Sequence, residues 1–521
     1  MNGLGYAYAF YGQDDWKVTP SLTLNYGLRY ELHPPLWDVD YNTAAFLPTY
    51  NQNGVQGAVV VPNQKALNNT APAFAQSIAP TPILTAAQAG IPAYLRYTDK
   101  TDFGPRIGFA WRPFHNDRTV LRGGWGRFTE SPLGWSLVSG WAVNASYLGF
   151  YSNDYDTNGN PLYSWSTPFP SNLAQPGSAT FEYAFPIHYR DPSVQQWNLT
   201  AEQDLGHNIG FRLSYVGSHG SNLETEEDLN QVPANTAGYS VAGNNRPFPN
   251  FGLIQSVVNA AISNYNSMTA VVERRMSNGL QFQVSYMWTR DLSNEGGDNP
   301  TSFAAAGGNM VTDRFHTGLD YGNVIYDRRN RVLGTYLYEL PFGPGKPFLN
   351  SNSIARSLAG GWQWGGVLVL QSGPFLTPYE ESTDPGGTNV LSTVGYTRAD
   401  IVPGVPLYTK RGTSESGVPL FLNPNAFAIP GNNIGRFGNA GVGNVVGPGT
   451  QDVSMSLIRS FHIHEKTNFQ FGAEASNLFN HRNYEPPNME ADDQGFGTIT
   501  GLQTAEGAGP RSLEITGRIS F

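Results

Sequence analysis

Between Leu22 and Glu31 apolar and polar residues alternate without a break. Leu22, Leu24, Tyr26, Leu28 and Tyr30 take one parity; Thr23, Asn25, Gly27, Arg29 and Glu31 take the other. Successive side chains of an extended backbone point to opposite faces, so such a run commits its segment to a strand with one apolar face. The alternation returns at Leu280, Phe282, Val284, Tyr286 and Trp288, set against Gln281, Gln283, Ser285 and Thr289. It returns at Phe469, Phe471, Ala473 and Ala475, set against Gln470, Gly472, Glu474 and Ser476. The last residues repeat it: Leu513, Ile515, Ile519 and Phe521 against Ser512, Glu514, Thr516, Arg518 and Ser520, with Gly517 on the apolar parity.

Read along the whole chain, this criterion predicts thirteen strands: 6–16, 21–32, 103–112, 119–128, 193–205, 209–217, 264–275, 279–290, 329–339, 360–372, 450–460, 467–479 and 510–521. The fold class is all-β and antiparallel. One helix is predicted, over 81–95, with a cap at Thr81, Pro82 at the first helical position and breaks at Gly90 and Pro92.

Alternation alone does not say which face is outside, since a soluble sandwich alternates too. Length and connection do. The predicted strands are about ten residues long, the length of a membrane-crossing strand, against ~5–6 in soluble sheets. Short connections (17–20, 113–118, 206–208, 276–278, 461–466 and the longer 340–359) alternate with long ones at 33–102, 129–192, 218–263, 291–328, 373–449 and 480–509. Short turns at one end and long loops at the other describe an outer-membrane barrel. Strand one and strand thirteen then both run towards the short-turn end, which puts the C-terminus in the periplasm. Trp16, Trp111 and Phe461 sit beside short turns, and Tyr30, Phe128 and Trp288 near the opposite strand ends. Two aromatic levels are what two membrane interfaces select. A propeller would need a regular ~40–50-residue repeat, and the spacing is irregular.

Composition removes several classes of function. Charged residues are 14% and aromatics 13%, too apolar for a disordered chain. A net charge of −10 argues against a nucleic-acid partner. With no Cys there is no disulfide scaffold, thiol nucleophile or thiolate metal site. No run reaches the ~18 apolar residues of a membrane helix. The opening residues Met1 to Tyr6 lack the basic and apolar regions of a signal peptide. The chain enters strand sequence at once, as though preceded by more.

Several motifs in order resemble one family, the TonB-dependent outer-membrane receptors of the Oar-like type. The first is Tyr11-Gly12-Gln13-Asp14-Asp15-Trp16-Lys17-Val18-Thr19-Pro20, followed by the 22–31 strand. Next come Tyr215-Val216-Gly217-Ser218-His219-Gly220, then Asp327-Arg328-Arg329-Asn330-Arg331 with Tyr338-Glu339-Leu340-Pro341-Phe342-Gly343. Phe437-Gly438-Asn439-Ala440-Gly441, Gly447-Pro448-Gly449 and Ala475-Ser476-Asn477-Leu478-Phe479-Asn480-His481 follow. The series ends with Phe496-Gly497-Thr498-Ile499-Thr500 and the stretch from Arg511 to Phe521.

The resemblance implies a barrel of ~22 strands with a plugged lumen, a signal peptide, a plug and a TonB box. On this expectation residues 1–521 are the C-terminal part of that barrel, about 13 of about 22 strands, with plug, TonB box and signal peptide absent. It also implies that Leu513, Ile515, Ile519 and Phe521 form the signal read by the outer-membrane barrel assembly machinery.

Other constellations read more plainly as structure. Asp154-Tyr155-Asp156-Thr157-Asn158-Gly159 opens like a Ca²⁺ loop, but Trp165 stands where a bidentate Glu is needed. His462-Ile463-His464-Glu465 falls in a predicted turn without a zinc-protease spacing. The glycine run 438–449 lacks the lysine of a phosphate loop. Ser218 and His219 lack a nucleophile elbow. Arg328, Arg329 and Arg331 fit a polar lumen or strand mouth. Trp135, Trp141, Tyr147, Tyr151 and Trp165 form either a ligand platform or loop packing.

The expectation is an outer-membrane receptor barrel for uptake of an external ligand, not an enzyme, with no catalytic residue, metal or cofactor. Its partners are outer-membrane lipid, the assembly machinery, and the TonB complex through the N-terminal region only; nucleic acid is not among them. The alternatives are a passive or adhesin-like surface barrel, or a soluble secreted glycan-binding β-protein.

Overall fold

The computed structural model describes residues 3–114, 116–131, 161, 166, 179–184, 186–294, 310–350, 354, 359–414, 417–464 and 467–521. Thirteen strands pair antiparallel in chain order along one fifteen-stranded sheet, which also takes in Ala179–Ala184, parallel to Phe251–Ser277, and Gly322–Asn323, beside Leu280–Ser293. The thirteen are β1 (Tyr8–Thr19), β2 (Leu22–Leu32), β3 (Phe103–Trp111), β4 (Thr119–Thr129), β5 (Ser193–Gly206), β6 (Ile209–Asp228) and β7 (Phe251–Ser277). β8 (Leu280–Ser293), β9 (Asn330–Glu339), β10 (Trp362–Gln371), β11 (Thr450–His464), β12 (Thr467–Ser476) and β13 (Ser512–Ser520) complete it. Each of the thirteen predicted strands corresponds to one of these. Among the described residues β1 pairs only with β2, and β13 only with β12, so the sheet does not close on itself.

Register carries the alternation across the whole sheet. Directly opposed residues share a face, and one such row runs Trp16, Leu24, Phe109, Gly123, Leu199, Tyr215, Met268 and Trp288. One residue along, the row on the other face is Asp15, Asn25, Gly108, Gly124, Asn198, Val216, Ser267 and Thr289. In the C-terminal half the apolar row is Phe282, Tyr336, Gly366, Met455, Ala475 and Leu513. A slip of one residue anywhere would invert the faces. The apolar face is not a core: Leu199 is 52% exposed, Ile107 60% and Ile515 76%.

Small residues on this face make room for rings. Gly217 lies opposite Trp197, and a Cβ there would stand 2.3 Å from Trp197 Nε1. The two-residue turns are equally local. His207 and Asn208 between β5 and β6, and Asn278 and Gly279 between β7 and β8, all have positive φ, the conformation of a type I′ hairpin.

The buried core lies in the long connections. Ala44, Phe46, Val59, Val61, Ala66, Phe74 and Ile78 of the first connection pack with Ala184, Leu229, Phe248, Phe251 and Ile254. Leu376, Leu422, Ala426, Phe427 and Val445 pack with Met489 and Phe496. Phe46 meets Phe248 at 4.7 Å and Phe251 at 5.1 Å, both edge-on. Asn230, 1% exposed, staples this cluster by donating from Nδ2 to the carbonyls of Phe248, Phe251 and Gly252.

Four expectations change. The 81–95 helix is replaced by the strand Ile83–Thr85 and a one-turn helix Ala86–Ala89. Thr85 and Gln88 form a capping box there, and Gly90 ends the turn in the left-handed region, so the break outweighs the alanines. β6 and β7 reach 20 and 27 residues, far past the predicted ends. Their ladder runs unbroken through Gly217-Ser218-His219-Gly220 and resumes after register shifts at Gly220/Leu223 and Leu223/Thr225, so Ser221 and Asn222, with Asn222 at positive φ, are absorbed as a bulge. β11 continues through His464 where a turn was expected from Phe461. Phe128 leaves the aromatic girdle: it lies on the polar parity, with the Arg106 guanidinium 4.6 Å from its ring centre.

Candidate functional site

The polar face and the long-loop end together form the candidate site. The face carries Gln13, Arg106, Arg122, Gln196, Asn198, Gln283, Glu474 and Glu514. Arg122 pairs with Glu202 at 3.3 Å across β4 and β5. At the short-turn end a cleft of about 600 Å³ is lined by Arg118, Glu202, Asp204, His207, Arg212 and Glu273. Such a surface suits water and polar solutes, as the opposite one suits lipid.

At the other end the loops are tied by polar contacts. Asp320 accepts from Thr312 N at 2.8 Å and Thr312 Oγ1 at 2.7 Å, and stands 3.4 Å from the buried Arg398. Glu380, fully buried, accepts from the backbone and hydroxyls of Ser382 and Thr383. Arg436 grips both oxygens of Asp400 at 2.8 and 2.7 Å. That bond holds the Asp400 carboxyl below the usual carboxylate range.

Where β2, β3 and β5 meet the loops, His33, Asp102 and Asp191 converge. His33 Nδ1 lies 2.7 Å from Asp191 Oδ2 and 3.9 Å from Asp102 Oδ2. Burial first, then the adjoining Asp191 and Asp99, raises Asp102 above the usual carboxylate range. Close by, Arg96 lies 4.7 Å over the ring of Tyr189, which hydrogen-bonds Glu224; burial raises that phenol.

This cluster escaped the sequence reading, because His33 and Asp191 are 158 residues apart. The one signal was position, since each member adjoins a strand end.

Of the residues singled out, Leu513, Ile515 and Ile519 lie exposed on the apolar parity of β13, and Phe521, 92% exposed, follows its end. Ser218 and His219 are ladder residues of β6, where His219 Nδ1 meets Asn264 Oδ1 at 2.8 Å. Arg328 donates to the Ile325 and Asp327 carbonyls, and Arg329 to Asn323 Oδ1 at 2.7 Å; both are structural contacts at a strand mouth. Arg331 sits on the polar parity of β9, opposite Gln371. The glycine run lets backbone lie against backbone: a Cβ on Gly438 would stand 1.7 Å from the Arg398 carbonyl oxygen. Residues 154–159, Glu465 and the aromatics Trp135, Trp141, Tyr147, Tyr151 and Trp165 lie outside the described residues.

A family model described as "Outer membrane beta barrel domain" matches residues 1–514. The chain belongs to this family. Its place is the outer membrane of a Gram-negative bacterium, with the apolar sheet face in lipid; a soluble secreted protein is set aside. No curated protein matches the chain.

Among solved structures it is similar to the outer membrane transporter YddB from Escherichia coli, at 9% identity and TM-score 0.42 over 99% of this chain and 54% of that one. It is similar to the FrpB iron transporter from Neisseria meningitidis, at 10% identity and TM-score 0.42 over 100% of this chain and 44% of that one. The siderophore receptor PiuA from Acinetobacter baumannii matches at 8% identity and TM-score 0.38, over 100% of this chain and 43% of that one. The chain thus spans about half the length of these proteins.

Proposed function

We propose that this barrel domain is the strand-and-loop part of a TonB-dependent receptor that takes up an external ligand. The observation that supports it best is the division of the molecule. A polar sheet face offers a lumen wall, and at one end, among the described residues, loops with their own packed cores offer a capture surface. In outer-membrane barrels the long loops face outward. The ordered motifs quoted above support the receptor type.

On this reading the thirteen strands are part of a barrel of about 22, because the outer edges of β1 and β13 would otherwise leave backbone groups unpaired in lipid. Energy coupling would act through an N-terminal plug and TonB box, and the thirteen strands by themselves would not transport. The residues of this chain hold loops, lumen wall and, in Leu513, Ile515, Ile519 and Phe521, the strand end read during assembly.

The test is uptake by cells lacking the gene, and by cells lacking the inner-membrane energy-coupling partner. Loss of the same external compound in both is the expected outcome. Uptake that survives loss of the coupling partner would identify a passive pore instead. Unchanged uptake with lost surface adhesion would identify an adhesin. Deleting Phe521 tests the assembly role: folded protein in the outer membrane should fall, and an unchanged amount would refute that role.

A further inference from the structure

Three strand boundaries bring one imidazole and two carboxylates to a single buried point. His33 follows the last residue of β2, Asp102 precedes the first of β3, and Asp191 stands two residues before β5. All three are buried, and their ligand atoms lie within 4.8 Å of one another. Four ligands at ~2.1 Å around a tetrahedral ion stand about 3.4 Å apart. The observed separations from His33 Nδ1 are 2.7 Å, a hydrogen bond to Asp191 that an ion would replace, and 3.9 Å to Asp102, on either side of that value.

A second observation points to a cation as the partner of this cluster. Asp102 is 1% exposed, and no N–H or hydroxyl donates to either of its side-chain oxygens; its close polar partners are the carboxyl of Asp191 and the ring of His33. Burying such a group without a donor is costly. The nearby cations do not bond its oxygens, although Arg127 acts on them electrostatically. Arg127 donates to the Thr101 and Phe103 carbonyls, and Arg96, which acts on Asp191 electrostatically, packs on Tyr189. Asp99 adds further negative charge, accepting from Asp191 N at 3.3 Å.

We propose that His33, Asp102 and Asp191 bind one divalent transition-metal ion, with a fourth position left to water. A mixed nitrogen and oxygen set of three suits zinc and its neighbours. Calcium would need six to eight oxygens. Because His33 and Asp102 are the two ends of the first long connection and Asp191 closes the second, the ion staples both loops to the rim of the sheet. This role is independent of which ligand the loops capture.

The test is titration of the full chain, extracted from outer membranes in detergent, with Zn²⁺ alone. One ion per chain is expected, together with chelator-sensitive protection of residues 33–102 from protease. Asp102→Asn and His33→Gln should each weaken binding about tenfold or more, the loss that even an outer-sphere change produces. A His462→Gln/His464→Gln double variant should bind as the parent does. The proposal is overturned if folded parent protein binds no Zn²⁺, if Asp102→Asn binds equally well, or if the double variant loses the ion.

Discussion

The sheet and the loop cap solve opposite problems with similar residues. In the sheet, Leu199, Ile107 and Ile515 face outward and are exposed, and no second layer covers them among the described residues. In the cap, Phe46, Phe251 and Ile254 are 1% exposed or less, gathered from the first connection and from the loop end of β7. A strand that pairs on both sides satisfies its backbone without any core, and lipid then serves as the solvent for its apolar face. A loop has water around it, so its apolar residues must find each other. The two regions should therefore respond differently to the same kind of change.

The largest expected effect is in the cap. Phe46→Ala removes a ring wedged between Phe248 and Phe251 and should cost about 3–5 kcal/mol of local stability. Protease resistance of residues 33–102 should fall while the sheet stays inserted. Loss of insertion as well would show that cap and sheet fold as one unit.

Next comes a charge on the lipid face. Leu199→Arg at mid-strand should cost about 2–4 kcal/mol in a bilayer, whereas Asn198→Arg, its neighbour on the polar face, should cost little. Denaturant titration in lipid vesicles measures both. Equal effects would mean that the two faces do not meet different solvents.

The smallest effect concerns the surface of the cap. Arg436→Met breaks the pair with Asp400, whose members are 51% and 16% exposed at the side chain, so up to about 1 kcal/mol is expected. The Asp400 carboxyl is depressed in the folded protein. Its contribution is thus present above the unfolded value, about pH 4, and lost as pH falls through the lower folded value. Parent and variant cap stabilities should converge as pH drops below about 4. A difference that persists there would assign Arg436 another role.

The strands were legible because their signal is local. The period of two in Leu22–Leu32 or Leu280–Ser293 needs no knowledge of partners, and Asn278-Gly279 marks its own turn. The same locality misled after Gly217, where the ladder passes the expected strand end and absorbs Ser221 and Asn222 as a bulge, and at Thr81, where alanines imply a helix that Gly90 cuts short.

Sequence alone thus determined the all-β class, the order and faces of the thirteen strands along the main path of the sheet, and the membrane class. Each of these follows from the side-chain direction and reach of a short extended segment. Tertiary structure alone decided which loop residues form cores, that Phe128 turns to the polar side, and that His33, Asp102 and Asp191 meet. Those outcomes depend on where loops of some twenty to eighty residues return, and no periodicity within a loop records the position of its distant partner.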